Sequence, residues 1–158
     1  MTGRIRGEQI KDDSITGTDV DESTLVLTHF IQAKYSATSS SSLVYIRPQE
    51  NGSNTSPGVN NKFLVPSNGT LKYVLIRSTH TPGSTVIGLH KASDGTEDLN
   101  TTAVETQTVD LSTDDTVVKA TFSSSATFSA HDIIGISVNP TSDHGNVNLM
   151  IIIEMEPL

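Results

Sequence analysis

At 158 residues the chain is long enough for one domain that buries about two thirds of its unfolded surface, so its core needs no covalent staple. Ten Lys+Arg against 18 Asp+Glu leave a net charge of −8 with no basic stripe, which argues against binding to nucleic acid. The lack of cysteine excludes a disulfide scaffold and a thiolate metal site, and no apolar run approaches the ~18 residues that a membrane-spanning helix needs.

The chain opens on Met1-Thr-Gly-Arg-Ile-Arg-Gly-Glu8, polar and charged, so no signal peptide is expected, and the lack of cysteine suits assembly in a reducing cytosol. Over residues 1–24 and into the next element, Ile5, Ile10, Ile15, Val20 and Leu25 recur at intervals of five, which is neither a helical nor a strand period. Five-residue spacing occurs in quadrilateral β-solenoids, but about 25 residues make little more than one coil and bury nothing alone. The expectation is therefore an extended arm, residues 1–24, that sets aliphatic anchors into another surface or winds with its copies about a symmetry axis. The alternative is a charged tail without a fold.

From residue 25 onward the β-formers take over, and the domain is expected to run over 25–158. Leu25 to Tyr35 reads as a long strand with imperfect alternation, residues 36–42 as a Ser-rich loop, and Leu43 to Ile46 as a short strand stopped by Pro48. Residues 49–61 form a long turn-rich loop with almost nothing to bury. Phe63 to Val65 follows, then strands at even spacing: Thr70–Ser78, Thr85–Lys91, Thr101–Leu111, Thr116–Ser123, Ile133–Asn139 and Val147–Glu156. No segment carries a 3.6-residue stripe. Short strands separated by regular turn signals predict an all-β, antiparallel β-sandwich, and the size fits a jelly roll.

The last strand is the most informative. Val147, Leu149, Ile151, Ile153 and Met155 share one face and belong in a core, while the other face reads Asn148, Met150, Ile152, Glu154, Glu156. Met150 and Ile152 stand where a strand with one solvated face would carry polar residues. The cover is either a second layer of the same chain or an identical neighbour, and an apolar share of only 34% favours the neighbour.

Two resemblances bear on this. Phe128-Ser-Ala-His-Asp-Ile-Ile-Gly-Ile136 resembles the Phe-x-x-Gly-Asp-x-Ile-x-Ile pattern of trimeric jelly rolls of the C1q and tumour-necrosis-factor type and of many viral knobs, with His131 where the pattern has a glycine that usually serves a positive φ. Arg6-Gly-Glu-Gln-Ile-Lys-Asp-Asp-Ser-Ile-Thr-Gly-Thr-Asp-Val20 is similar to the Gln-Ile-Lys-Asp-Gly-Ser-Ile-Thr-x-x-Asp-Ile segments of small tailed-bacteriophage virion proteins, with Asp13 replacing the usual Gly. Those proteins include fibre, tail and head-decoration (cement) types. Together the resemblances imply a homotrimer with a jelly-roll body, an arm attached to the major capsid protein or another virion protein, and a location in the virion after assembly in the host cytoplasm.

No catalytic signature is present: the chain lacks Gly-x-Ser-x-Gly, His-Glu-x-x-His and a phosphate-cradling loop, so no cofactor and no catalytic residue is assigned. His29, His80, His90, His131 and His144 show no metal spacing and read as structural or solvated, against a pH-linked role at an interface. Asp94, Glu97 and Asp98 crowd one loop and would suit calcium in a calcium-dependent carbohydrate-binding module, although the spacing is not that of an EF-hand. Asp110 and Asp132 would act as a carboxylate pair only if the fold set them ~5–9 Å apart in a cleft. The Ser/Thr/Asn-rich loops at 36–42, 51–61 and 93–108 are either a tip that touches a host-surface glycan or ordinary turns. A capsid decoration protein is thus the leading expectation, with a short tail-fibre or adhesin protein as the alternative.

Overall fold

The computed structural model describes residues 26–36, 41–92 and 99–157. Apart from one 3-10 turn at Val59–Asn61, every regular element among them is a strand: β1 Leu27–Ser36, β2 Val44–Ile46, β3 Ser53–Asn54, β4 Phe63–Leu64, β5 Gly69–Ser78, β6 Gly83–Ala92, β7 Glu105–Leu111, β8 Val118–Thr121, β9 Thr127–Phe128, β10 Ile133–Pro140 and β11 Asn146–Met155. They form two antiparallel sheets. The first runs β1-β11-β5-β8 with β9 also on β5, and the second runs β3-β2-β10-β6-β7 with β4 also on β10.

The pairing identifies the topology. With the three two-residue strands set aside, the first strand pairs the last (β1 with β11), the second the last but one (β2 with β10), the third the sixth (β5 with β8) and the fourth the fifth (β6 with β7). One long antiparallel ribbon rolled over on itself gives this order, which is the jelly roll. The expected all-β sandwich is therefore the observed fold.

The strand alternation places the core between the layers. Tyr35, Val74, Ile76, Leu149, Ile151 and Ile153 from the first sheet meet Ile46, Ile87, Leu89, Ile134, Ile136 and Val138 from the second, all buried. Burying each large aliphatic contributes about 1.5–3 kcal/mol.

Most strand boundaries fall within one or two residues of those expected. Two differences have physical causes. The strand expected from Thr101 begins only at Glu105, because Val104 N–H first donates to Leu89 O (2.7 Å) while Asn100 N–H reaches Lys91 O (3.2 Å) across a looser turn. Residues 49–61, expected to be a turn-rich loop with almost nothing to bury, hold structural contacts. Gln49 N–H donates to Gln32 O (2.9 Å) and Gly52 N–H to Lys34 O (2.8 Å), so the segment straps the free edge of β1. Asn61 is wholly buried, with Nδ2 donating to Tyr45 O (2.7 Å) and Oδ1 accepting from Gly58 N–H (3.1 Å).

A second layer covers the part of the second sheet's outer face around Tyr45, His90 and Gly135. There a Cβ on Gly135 would overlap the Leu99 side chain and stand 2.8 Å from the Asn61 carbonyl oxygen, so only glycine admits this close approach. Leu99, Tyr45 and His90 are all buried beneath these loops.

Candidate subunit interface

The outer face of the first sheet is built in rows, because paired residues of antiparallel strands point the same way. One row reads Phe30, Ile152, Tyr73, Thr121; the next reads Gln32, Met150, Leu75, Lys119; the third reads Lys34, Asn148, Arg77. A register shift between Ile152 and Ile153 opposes Ile153 to Leu71, so Lys72 is the extra residue of the β5 bulge. Lys72 Nζ then lies 3.0 Å from a Glu154 carboxylate oxygen.

Met150 and Ile152 lie on this face, as the alternation requires. Their exposure differs from the expectation, however. Ile152 is only 5% exposed, since Phe30 and Tyr73 flank it on adjoining strands, and Met150 is half-buried. The exposed apolar surface belongs to Phe30, at 71%. Sequence reading missed Phe30, and its signal was the imperfect alternation at His29-Phe30-Ile31, where an aromatic residue takes the outward parity opposite to Ile31, Ala33 and Tyr35.

Beside this ring an open groove of about 700 Å³ runs between β1, β11 and the strap, with Phe30, Met150, Gln32, Lys34, Glu50 and Asn51 among its lining residues. Charge on the face is unlike that of the chain. Lys34, Lys72, Arg77 and Lys119 all belong to it, whereas its strands contribute only Glu154 as an acid. Lys119 Nζ sits 4.1 Å from the centroid of the Tyr73 ring, a cation–π contact that holds the cation over the apolar patch. Arg77 reaches Asp115 at the margin (3.5 Å). Aromatic residues, methionine and arginine are enriched in protein interfaces and lysine is depleted there, so the centre of this face, formed by Phe30, Tyr73 and Met150, matches an interface while its lysine edge does not.

The other residues singled out from sequence do not converge on a second site. Asp110 is exposed at the Ser84 end of β6 and bonds its own turn through Ser112, whereas Asp132 adjoins the Ala92 end. Some eight residues of strand, roughly 25 Å, separate those ends, so the two carboxylates form no catalytic pair. Asp132 is 4% exposed and structural: Ser129 N–H donates to Oδ2 (2.9 Å), and Lys91 Nζ lies 3.6 Å away.

His90 is buried, with Nδ1–H donating to Asn100 O (2.8 Å), Nε2 2.8 Å from Ser137 Oγ, and the ring edge-on to Tyr45. Burial pushes its pKa below the usual imidazole range, outweighing the bond to the Asn100 carbonyl, which acts the other way. His144 is buried edge-on to Tyr35, His80 Nδ1 faces Asp143 (3.2 Å), and His29 and His131 are exposed.

The expected anchors Ile5, Ile10, Ile15, Val20 and Leu25 lie outside the described residues, as do Asp94, Glu97 and Asp98. Among the described residues no group of three or more His, Asp or Glu is arranged to hold a metal, and no helix is long and apolar enough to cross a membrane.

No family model and no curated protein matches the chain. Among solved structures, murine APRIL at pH 5.0 is 10% identical over 78% of this chain and 98% of that chain, with a TM-score of 0.36. Eiger TNF from S. frugiperda is 12% identical over 77% and 91%, at 0.35. A chain of infectious bursal disease virus, Gx strain, is 11% identical over 84% of this chain and 32% of its own, at 0.38. The strand pairing itself carries the conclusion: the chain is an all-β jelly roll.

Proposed function

We propose that the chain is a virion structural protein of a tailed bacteriophage, a capsid decoration protein that works by binding alone. In this reading residues 1–24 are an attachment arm and 25–158 the body. The observation that carries it is the outer face of the first sheet, an apolar row edged with basic residues in a chain of net charge −8. Phe30, Met150, Leu75 and Tyr73 would be covered by neighbouring copies in a homotrimer, completing the burial that Ile152 already has. Support for the virion comes from the similarity of Arg6 to Val20 to phage virion segments, and from five aliphatic residues at constant spacing that would seat on the major capsid protein or another virion protein.

Mass action is then the mechanism. A trimer that binds the mature shell and bridges its subunits stabilises it in proportion to occupancy, while the acidic remainder of the surface faces water. Two measurements test the reading. Analytical ultracentrifugation at high protein concentration is expected to show a trimer that Phe30→Asp dissociates, with circular dichroism unchanged. Quantitative mass spectrometry of purified particles is expected to give about one copy per major capsid protein; a few copies per particle would place the chain on the tail as a short fibre, and none would end the virion reading.

A further inference from the structure

The N-terminal 25 residues divide by charge. Residues 1–11 carry Arg4, Arg6 and Lys11 against Glu8, whereas residues 12–25 carry Asp12, Asp13, Asp19, Asp21 and Glu22 with no lysine or arginine. The second half also holds Ile15, Val20 and Leu25, so it is at once acidic and regularly apolar. Only one surface described above is the complement of both properties. The outer face of the first sheet bears four of the seven basic residues that follow residue 25, set around Phe30, Met150, Leu75 and Tyr73.

We propose that residues 12–25 dock on the outer face of the first sheet of their own chain, the acidic side chains meeting Lys34, Arg77 and Lys119 and the aliphatic ones covering Phe30 and Met150. Connection and reach favour this occupant. Residue 25 is bonded to Val26, which immediately precedes β1 and is exposed, as is Leu27 beside it. Fourteen extended residues span roughly 45 Å, and the sheet is only about 15 Å wide from β1 to β8. A tether this short holds the segment at an effective concentration on the order of millimolar, above that of any free partner in dilute solution.

The inference rests on the reading of this face as a subunit contact, and it gives that contact a control. The segment and a neighbouring copy compete for one surface, so the free subunit is self-covered and copies join only when the segment leaves. A shell that captures residues 1–11 and draws the rest away would free the face where assembly is wanted. Attachment and self-association would then favour each other, as linkage requires of two events that share one competing state.

Because the chain has no cysteine, Thr18→Cys supplies a single site for a nitroxide label on the full-length protein. At low protein concentration the label is expected to broaden the methyl signals of Met150, Leu75 and Ile152 far more than that of Val86 on the outer face of the second sheet. Replacing the four aspartates of residues 12–21 by Asn and Glu22 by Gln is expected to abolish the difference and to tighten self-association about tenfold. Equal broadening of the two faces, broadening that survives neutralisation, or broadening passed to unlabelled copies in a mixed sample would overturn the proposal. If the broadening behaves as expected but neither form self-associates, the docking stands and the trimer reading falls.

Discussion

His131 takes a φ of +71° two residues before β10, a conformation that glycine adopts without steric cost. Its N–H donates to Val65 O (2.8 Å) and the neighbouring Val65 N–H donates to Asp132 O (3.1 Å), so the chain is held in that conformation by its surroundings. A left-handed residue other than glycine costs about 1–2 kcal/mol, part of which glycine returns through a more disordered unfolded chain. His131→Gly is therefore expected to stabilise the protein by roughly 0.5–1 kcal/mol in urea titration, and His131→Val to destabilise it.

Two buried titratable side chains limit stability from opposite sides of neutrality. Tyr35 is 1% exposed, its hydroxyl has no hydrogen-bond partner among the described residues, and burial drives its pKa far upward. Above about pH 10 the unfolded chain loses this proton while the folded chain keeps it, so stability falls as pH rises. Tyr35→Phe should flatten that alkaline fall and, by removing an unsatisfied donor, leave stability at neutral pH equal or up to about 1 kcal/mol higher. His90 acts in the reverse sense. Its folded pKa is depressed, so below about pH 6.5 the unfolded chain takes up a proton first and stability declines with acid. His90→Gln should remove that part of the slope between pH 5 and 7, measured by chemical denaturation at each pH.

Among the elements, β7 and the turn after β8 are joined by one carboxylate. Glu105 Oε1 accepts from Ser123 N–H (2.8 Å) and Oε2 from Ser123 Oγ (2.6 Å), fastening an edge strand of the second sheet to the first. Those bonds to Ser123 hold the Glu105 pKa below the usual carboxylate range, so their contribution is present above about pH 4 and is lost as pH falls through the folded value. Glu105→Gln is expected to cost about 1 kcal/mol or less, because water screens so exposed a site, and to erase the corresponding acid dependence.

Strand positions could be approached from sequence because alternation and turn residues are local signals. The two-residue strand β9 could not, since Thr127 and Phe128 are too few to show a period. Nor could the roles of residues 49–61: Asn61 looks like any loop asparagine until the fold brings Tyr45 O to its amide. For the candidate interface, the parity of Met150 and Ile152 was legible, but Tyr73, Leu75 and Lys119 joined them only through pairings that cross more than forty residues.

At the scale of the whole molecule, charge and hydrophobicity are distributed unevenly. One face of one sheet gathers four of the seven basic residues that follow residue 25 together with the exposed Phe30, while loops close over the middle of the opposite sheet, with Leu99 seated against Gly135. Association through the first sheet should therefore be sensitive to Phe30 and Met150 and indifferent to changes on the second. Met150→Lys is expected to weaken a trimer at least tenfold by sedimentation, whereas Thr106→Lys on the exposed face of β7 should leave it unchanged.

The strap at residues 49–52 has one further consequence. By hydrogen bonding along Gln32 to Lys34, it covers the middle of the β1 edge and leaves Leu27–Ile31, about 17 Å of strand, outside its reach. A jelly roll crowded against many copies of itself is exposed to runaway strand-to-strand stacking into fibrils, and the short uncovered stretch is where such stacking would begin. What looks in sequence like idle loop thus shortens the β1 edge that another strand could join.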